Sequence, residues 1–68
     1  MASYYVNKNA QDNGDHEVHT SVCSFLPEIA NRLYLGEFSN CQDAVREAAK
    51  YYNDVDGCYY CAYACHTS

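Results

Sequence analysis

Three thiols and an imidazole fall within nine residues near the end of this chain, in Gly57-Cys58-Tyr59-Tyr60-Cys61-Ala62-Tyr63-Ala64-Cys65-His66. Zinc takes four soft or borderline donors in a tetrahedron, and a Cys-x-x-Cys step supplies two of them from one tight turn. Cys58 and Cys61 have that spacing, and Cys65 lies four residues further on, within reach if the chain curls. Cys23 is the long-range thiol that would tie the first half of the chain to this tail. The expected site is a structural Zn²⁺ held by Cys23, Cys58, Cys61 and Cys65, with His19 or His66 as replacement ligands.

Other chemistry competes for the same residues. A free cysteine is among the most buried residue types, so any of these thiols could be simple core. A disulfide, for example from Cys23 to a tail cysteine, is a further reading. Cys41 falls on an apolar helical stripe and reads first as a packed thiol. Its place near a helix N-terminus would lower its pKa, which makes it the candidate reactive thiol. The thioredoxin-type reading of Cys58-Tyr59-Tyr60-Cys61 fails, because that motif opens a helix after a strand, whereas here it follows the helix. Cys61 to His66 has the wrong spacing for c-type haem attachment. No catalytic residue is assigned.

Size explains why a staple is expected at all. A chain of 68 residues is one small domain, spanning 1–68, and a single apolar core of this size supplies only about 3–5 kcal/mol. Half of the residues are hydrophobic, 49%, yet much of that fraction is tyrosine, which carries a polar end on each ring. Five cysteines are an odd count, which fits one closed metal site and a spare better than a full disulfide framework.

Charge bounds the partners. The formal net charge is −5, with Lys8, Arg32, Arg46 and Lys50 as the only Lys and Arg. Phosphate backbones and anionic lipids are bound through clustered cations, so nucleic acid and membrane are both disfavoured. The start Met1-Ala2-Ser3-Tyr4-Tyr5-Val6 has no basic segment followed by an apolar one, and no run approaches a membrane span. The expected compartment is the cytoplasm, where closely spaced thiols are more often metal ligands or redox groups than disulfides.

The elements that must position these ligands can be read in order. Residues 3–7 carry Tyr4, Tyr5 and Val6 and read as a strand. Gln11-Asp12-Asn13-Gly14-Asp15 is a turn, since Asn-Gly readily takes positive φ. His16 to Thr20 returns as a second strand, with His16, Val18 and Thr20 on one face and Glu17 and His19 on the other. After Leu26-Pro27, Leu33 to Phe38 alternates as a third strand in which Gly36 marks a bulge or a close backbone approach. Ser39-Asn40-Cys41-Gln42 reads as a capping box. Cys41, Ala44, Val45, Ala48 and Tyr52 then form a helical stripe, with Asp43, Arg46, Glu47 and Lys50 outside it. Asn53 to Gly57 reads as the turn that ends the helix. The fold class is α+β: a three-stranded antiparallel sheet in the order β-β-β-α, packed on one helix, with a cysteine-rich zinc knuckle after it.

Two resemblances accompany this reading. The pattern Tyr4-Tyr5-Val6-Asn7-Lys8-Asn9-Ala10-Gln11, Gly14-Asp15-His16-Glu17-Val18-His19, Cys23, Leu26-Pro27, Tyr34-Leu35-Gly36, Phe38-Ser39-Asn40-Cys41, Ala44-Val45, Gly57-Cys58-Tyr59-Tyr60-Cys61 and Cys65-His66 resembles a family of small, uncharacterised bacterial proteins. It covers nearly the whole chain and implies no activity. A partial similarity links an early His19 and Cys23 and a later Cys58 and Cys61 to the amino-terminal zinc domain of the Ada DNA-repair protein. That similarity implies a zinc-binding plan. Methyl transfer does not carry over, because His19 stands at the methyl-accepting position and the basic DNA-binding surface is missing.

The function expected is a small zinc-stabilised accessory or protein-interaction module. The alternative is a reactive-thiol protein that accepts an alkyl group or senses oxidants. Eight tyrosines, among them Tyr4-Tyr5, Tyr51-Tyr52 and Tyr59-Tyr60, favour a protein partner, because tyrosine is enriched in binding surfaces and the chain is acidic.

Overall fold

Asn13-Gly14 makes the turn its composition predicts. In the computed structural model, which describes residues 1–67 and leaves Ser68 of the expected 1–68 domain outside the described residues, Gly14 has φ 93°. Its amide donates to the Gln11 carbonyl at 2.8 Å, and the Asn13 side chain accepts from the Asp15 amide at 2.9 Å. Positive φ is nearly free for glycine, which is why the reversal falls there. It joins β1 (Ala2–Asn7) to β2 (His16–Thr20). The two run antiparallel with Tyr4 opposite Thr20, Tyr5 opposite His19 and Val6 opposite Val18.

β3 (Arg32–Phe38) pairs antiparallel with the other edge of β1. Its register passes from Tyr4 opposite Gly36 to Tyr5 opposite Tyr34, so Leu35 is the extra residue of a bulge. Gly36, at φ 125°, permits it, as the glycine within the strand pattern predicts.

The helix α1 spans Cys41–Ala48, and its cap differs from the expectation. Asn40, not Ser39, is the N-cap: its side chain accepts from the Asp43 amide at 2.8 Å. Either residue type can cap, and the choice moves the helix start by one position. The helix also ends before Tyr52, whose ring instead stacks on His16 with centroids 3.8 Å apart. The exposed face carries Asp43 with Arg46 at 2.8 Å and Glu47 with Lys50 at 3.0 Å, both at i,i+3.

The sheet itself is a correction. It has four strands in the order β3-β1-β2-β4, because Val55–Gly57, expected as turn, forms β4 and pairs parallel with β2. Three residues inside Asn53-Asp54-Val55-Asp56-Gly57 show no alternation from which a strand could be read. A parallel neighbour needs a long crossover, here the segment that contains β3 and α1. The apolar core lies between sheet and helix, with Val6, Val18, Ala44 and Ala48 all at 0% exposure and Tyr4, Leu35, Cys41 and Ala62 beside them. At about 2 kcal/mol for each fully buried valine-sized side chain, this is a slight core.

Candidate metal centre

β2 serves two cores through its alternation. Val18 joins the helix-side core, while the next residue, His19, lies on the opposite face by strand geometry and is still 1% exposed. His19, Val6, Val18 and Cys58 are the largest fully buried side chains among the described residues. What encloses His19 is a second cluster made by two tight turns.

The first turn follows β2, where the Cys23 amide donates to the Thr20 carbonyl at 3.2 Å. The second follows β4. Gly57 pairs with Val18, and the Cys58 amide donates to the Val18 carbonyl at 2.9 Å, which extends the parallel ladder by one residue and sets Cys58 beside the end of β2. The Ala62 amide closes the turn on the Cys58 carbonyl at 2.9 Å, and Cys61 lies inside it.

His19, Cys23, Cys58 and Cys61 thereby converge, their ligand atoms all within 4.8 Å of one another, and the group could hold a metal ion. The Cys23 and Cys58 sulfurs are 3.8 Å apart, and the Cys61 sulfur is 4.0 Å from His19 Nδ1. A tetrahedral ion of zinc's size requires sulfurs about 3.8 Å apart and sulfur to nitrogen about 3.6 Å. These two pairs are near those values, and the widest, at up to 4.8 Å, would draw in by about 1 Å on binding.

The electrostatics suit a cation. Burial pushes the Cys61 thiol up to about 12, an effect that the Cys23 and Cys58 thiols reinforce and that Thr20 opposes through its hydrogen bonds. Burial also lowers His19 below its ordinary 6.5, against the opposing pull of Glu17, so the imidazole is neutral at pH 7 with a lone pair to give. A divalent ion inverts the thiol preference, since a coordinating thiol is deprotonated outright. Three thiolates and a neutral imidazole around such an ion leave a net charge of about −1. Two amides are placed to take up that charge: Thr20 donates to the Cys61 sulfur at 3.3 Å and Tyr60 to the Cys58 sulfur at 3.4 Å.

Glu17 completes the arrangement and was not among the residues singled out from the sequence. Its carboxylate lies 3.5 Å from His19 Nε2, while Nδ1 faces the Cys61 sulfur. A carboxylate on one ring nitrogen fixes the tautomer that leaves the other nitrogen free to bind a metal. The signal was present, since strand alternation puts Glu17 and His19 on one face.

Three expected site residues are placed elsewhere. Cys65 does not join the cluster; it forms a disulfide with Cys41, and this also removes Cys41 as a reactive thiol. Cys23, Cys58 and Cys61 are the free cysteines, so the odd count resolves as three clustered thiols and one bridge, with His19 beside the thiols where Cys65 was expected. The physical reason is that the chain continues past Cys61 back to the helix instead of curling around one point. Ala62 enters the helix-side core, and the 3-10 turn Tyr63–Cys65 brings Cys65 to the first residue of α1. His66, the other replacement ligand, is held by the Gly57 carbonyl at 3.0 Å and by Asp56 at 3.2 Å from its Nδ1. Asp56, 4% exposed, also accepts from the Thr67 amide at 2.9 Å and hydroxyl at 3.1 Å.

No described helix is long and apolar enough to cross a membrane. No protein-family model, curated protein or solved structure matches the chain.

Proposed function

We propose that this chain is a zinc-stapled protein-interaction or accessory module, with Zn²⁺ bound by His19, Cys23, Cys58 and Cys61. The observation that carries the reading is the convergence of four buried or half-buried donors from two turns far apart in sequence, within 4.8 Å of one another. Four protein ligands close the coordination sphere, which is the arrangement of structural zinc sites; catalytic ones keep a position for water or substrate. Apparent zinc-binding free energies of roughly 10–16 kcal/mol in small domains exceed what a slight core supplies. The same positions are those that the Ada-type plan implies, without its methyl-accepting cysteine or its basic surface.

Metal analysis of the purified chain tests this directly. We expect one zinc per chain, tetrahedral thiolate spectra after cobalt exchange, and loss of both in Cys58→Ser. Cys65→Ser should still load. A chain that binds no zinc, or whose loading ignores Cys58→Ser, overturns the reading. Brief alkylation separates the reactive-thiol alternative: a closed zinc site shields Cys23, Cys58 and Cys61, whereas rapid labelling of one of them in the loaded protein favours that alternative.

A further inference from the structure

The two residues between the ligands Cys58 and Cys61 are tyrosines, and they belong to a surface that the metal centre does not use. Tyr59 is 51%, Tyr60 69%, Tyr63 65% and Phe25 55% exposed. Their rings are mutually ordered. Phe25 and Tyr60 stack at 4.4 Å between centroids, with planes 22° apart, and Tyr59 meets Tyr60 at 5.2 Å and Tyr63 at 5.1 Å near right angles. Such contacts fix the rings relative to each other while leaving ring surface open to solvent.

Charge says what that surface fits. The chain carries nine Asp and Glu against four Lys and Arg, a formal net charge of −5. Three of the chain's four Lys and Arg are engaged elsewhere: Arg46 and Lys50 pair with acids of α1, and Arg32 donates to the Pro27 carbonyl at 3.2 Å. The same Arg32 lies over the Tyr5 ring, 4.8 Å from its centroid, so the fold already uses guanidinium on tyrosine once. The rings of the tail are an open version of that pairing on a chain of net charge −5.

We propose that Tyr59, Tyr60, Tyr63 and Phe25 form a docking plate for an arginine-bearing segment of a partner protein. A guanidinium is planar, weakly hydrated and attracted to the negative face of an aromatic ring, so it gains more from stacking than the compact lysine ammonium does. A nucleic acid offers bases to stack but brings phosphates to a chain of net charge −5, and a second copy brings the same net charge. The proposal rests on the zinc reading in one respect, that the ion holds the loop between Cys58 and Cys61 in this form.

The test titrates the zinc-supplemented full chain, observed by ring-proton NMR, with three probes: a blocked peptide of arginines spaced by glycine and serine, its lysine counterpart, and a single-stranded oligonucleotide. The expected result is movement of the Tyr59, Tyr60, Tyr63 and Phe25 resonances with the arginine peptide. Binding of the lysine peptide should be several-fold weaker. Phe25→Leu with Tyr63→Leu, both at exposed positions, should weaken the arginine peptide about tenfold while zinc content stays unchanged. Equal binding of the two peptides with unmoved rings, tighter binding of the oligonucleotide, self-association that engages the rings without peptide, or no binding would each overturn the plate. Zinc content separates the two readings: normal loading without peptide binding removes only the plate, and peptide binding on a chain that takes no zinc removes only the metal.

Discussion

Glu17 shows how one side chain can set the chemistry of another. Its carboxylate lies 3.5 Å from His19 Nε2, at ion-pair distance, where a small approach would fix the tautomer whose Nδ1 faces the cluster. Partners of this kind change metal affinity by about 10–100-fold. Glu17→Gln should therefore weaken zinc binding by roughly tenfold while leaving the fold intact, as read by competition with a chromophoric chelator and by circular dichroism. Unchanged affinity would mean that burial alone orients the ring. His19 differs from the cysteines in kind, because it brings no negative charge. As a fourth donor it would hold the proposed loaded site near −1, where a fourth thiolate would take it to about −2 in a buried place.

Among the elements, β4 is the one that assembles the site. Its three residues carry the chain alongside β2 and place Cys58 at the strand's end, so the parallel pairing does for the late ligands what the hairpin does for the early ones. Gly57 is tightly enclosed: a Cβ there would lie 2.6 Å from Cys65 Cβ and 2.7 Å from the Ala62 carbonyl oxygen. The second of these is backbone and cannot step aside cheaply. Gly57→Ala should destabilise the domain by about 1–3 kcal/mol, seen as a lower denaturation midpoint, and should lower metal affinity because Cys58 is the next residue. A variant as stable as the parent would show that the tail packs more loosely than the structure has it.

At the scale of the molecule, the proposed metal site at His19, Cys23, Cys58 and Cys61 and the Cys41–Cys65 bridge beside the helix lie at opposite faces of one sheet, placed to act as two staples. A disulfide closing a loop of this sequence separation, 24 residues, contributes about 3 kcal/mol. In thermal unfolding, chelator alone and reductant alone should each lower the midpoint, and the two together should abolish the cooperative transition. A midpoint indifferent to both would mean the apolar core suffices. Local pattern determined much of this from sequence: the Asn13-Gly14 turn, the limits of β2, the irregularity at Gly36, the helix that buries Cys41, Ala44 and Ala48, and the joining of Cys23 to Cys58 and Cys61. Each depends on φ preferences, side-chain periodicity or fixed ligand spacing, which act over a few residues. The tertiary structure alone decided that Val55–Gly57 is a strand, that Cys65 bonds Cys41, and that His19 joins the three free thiols. Those outcomes turn on where the tail travels after Cys61, and that path is set by the burial of Ala62 against distant sheet and helix residues and by the fit of Gly57 against Cys65 within the tail, neither of which local spacing encodes.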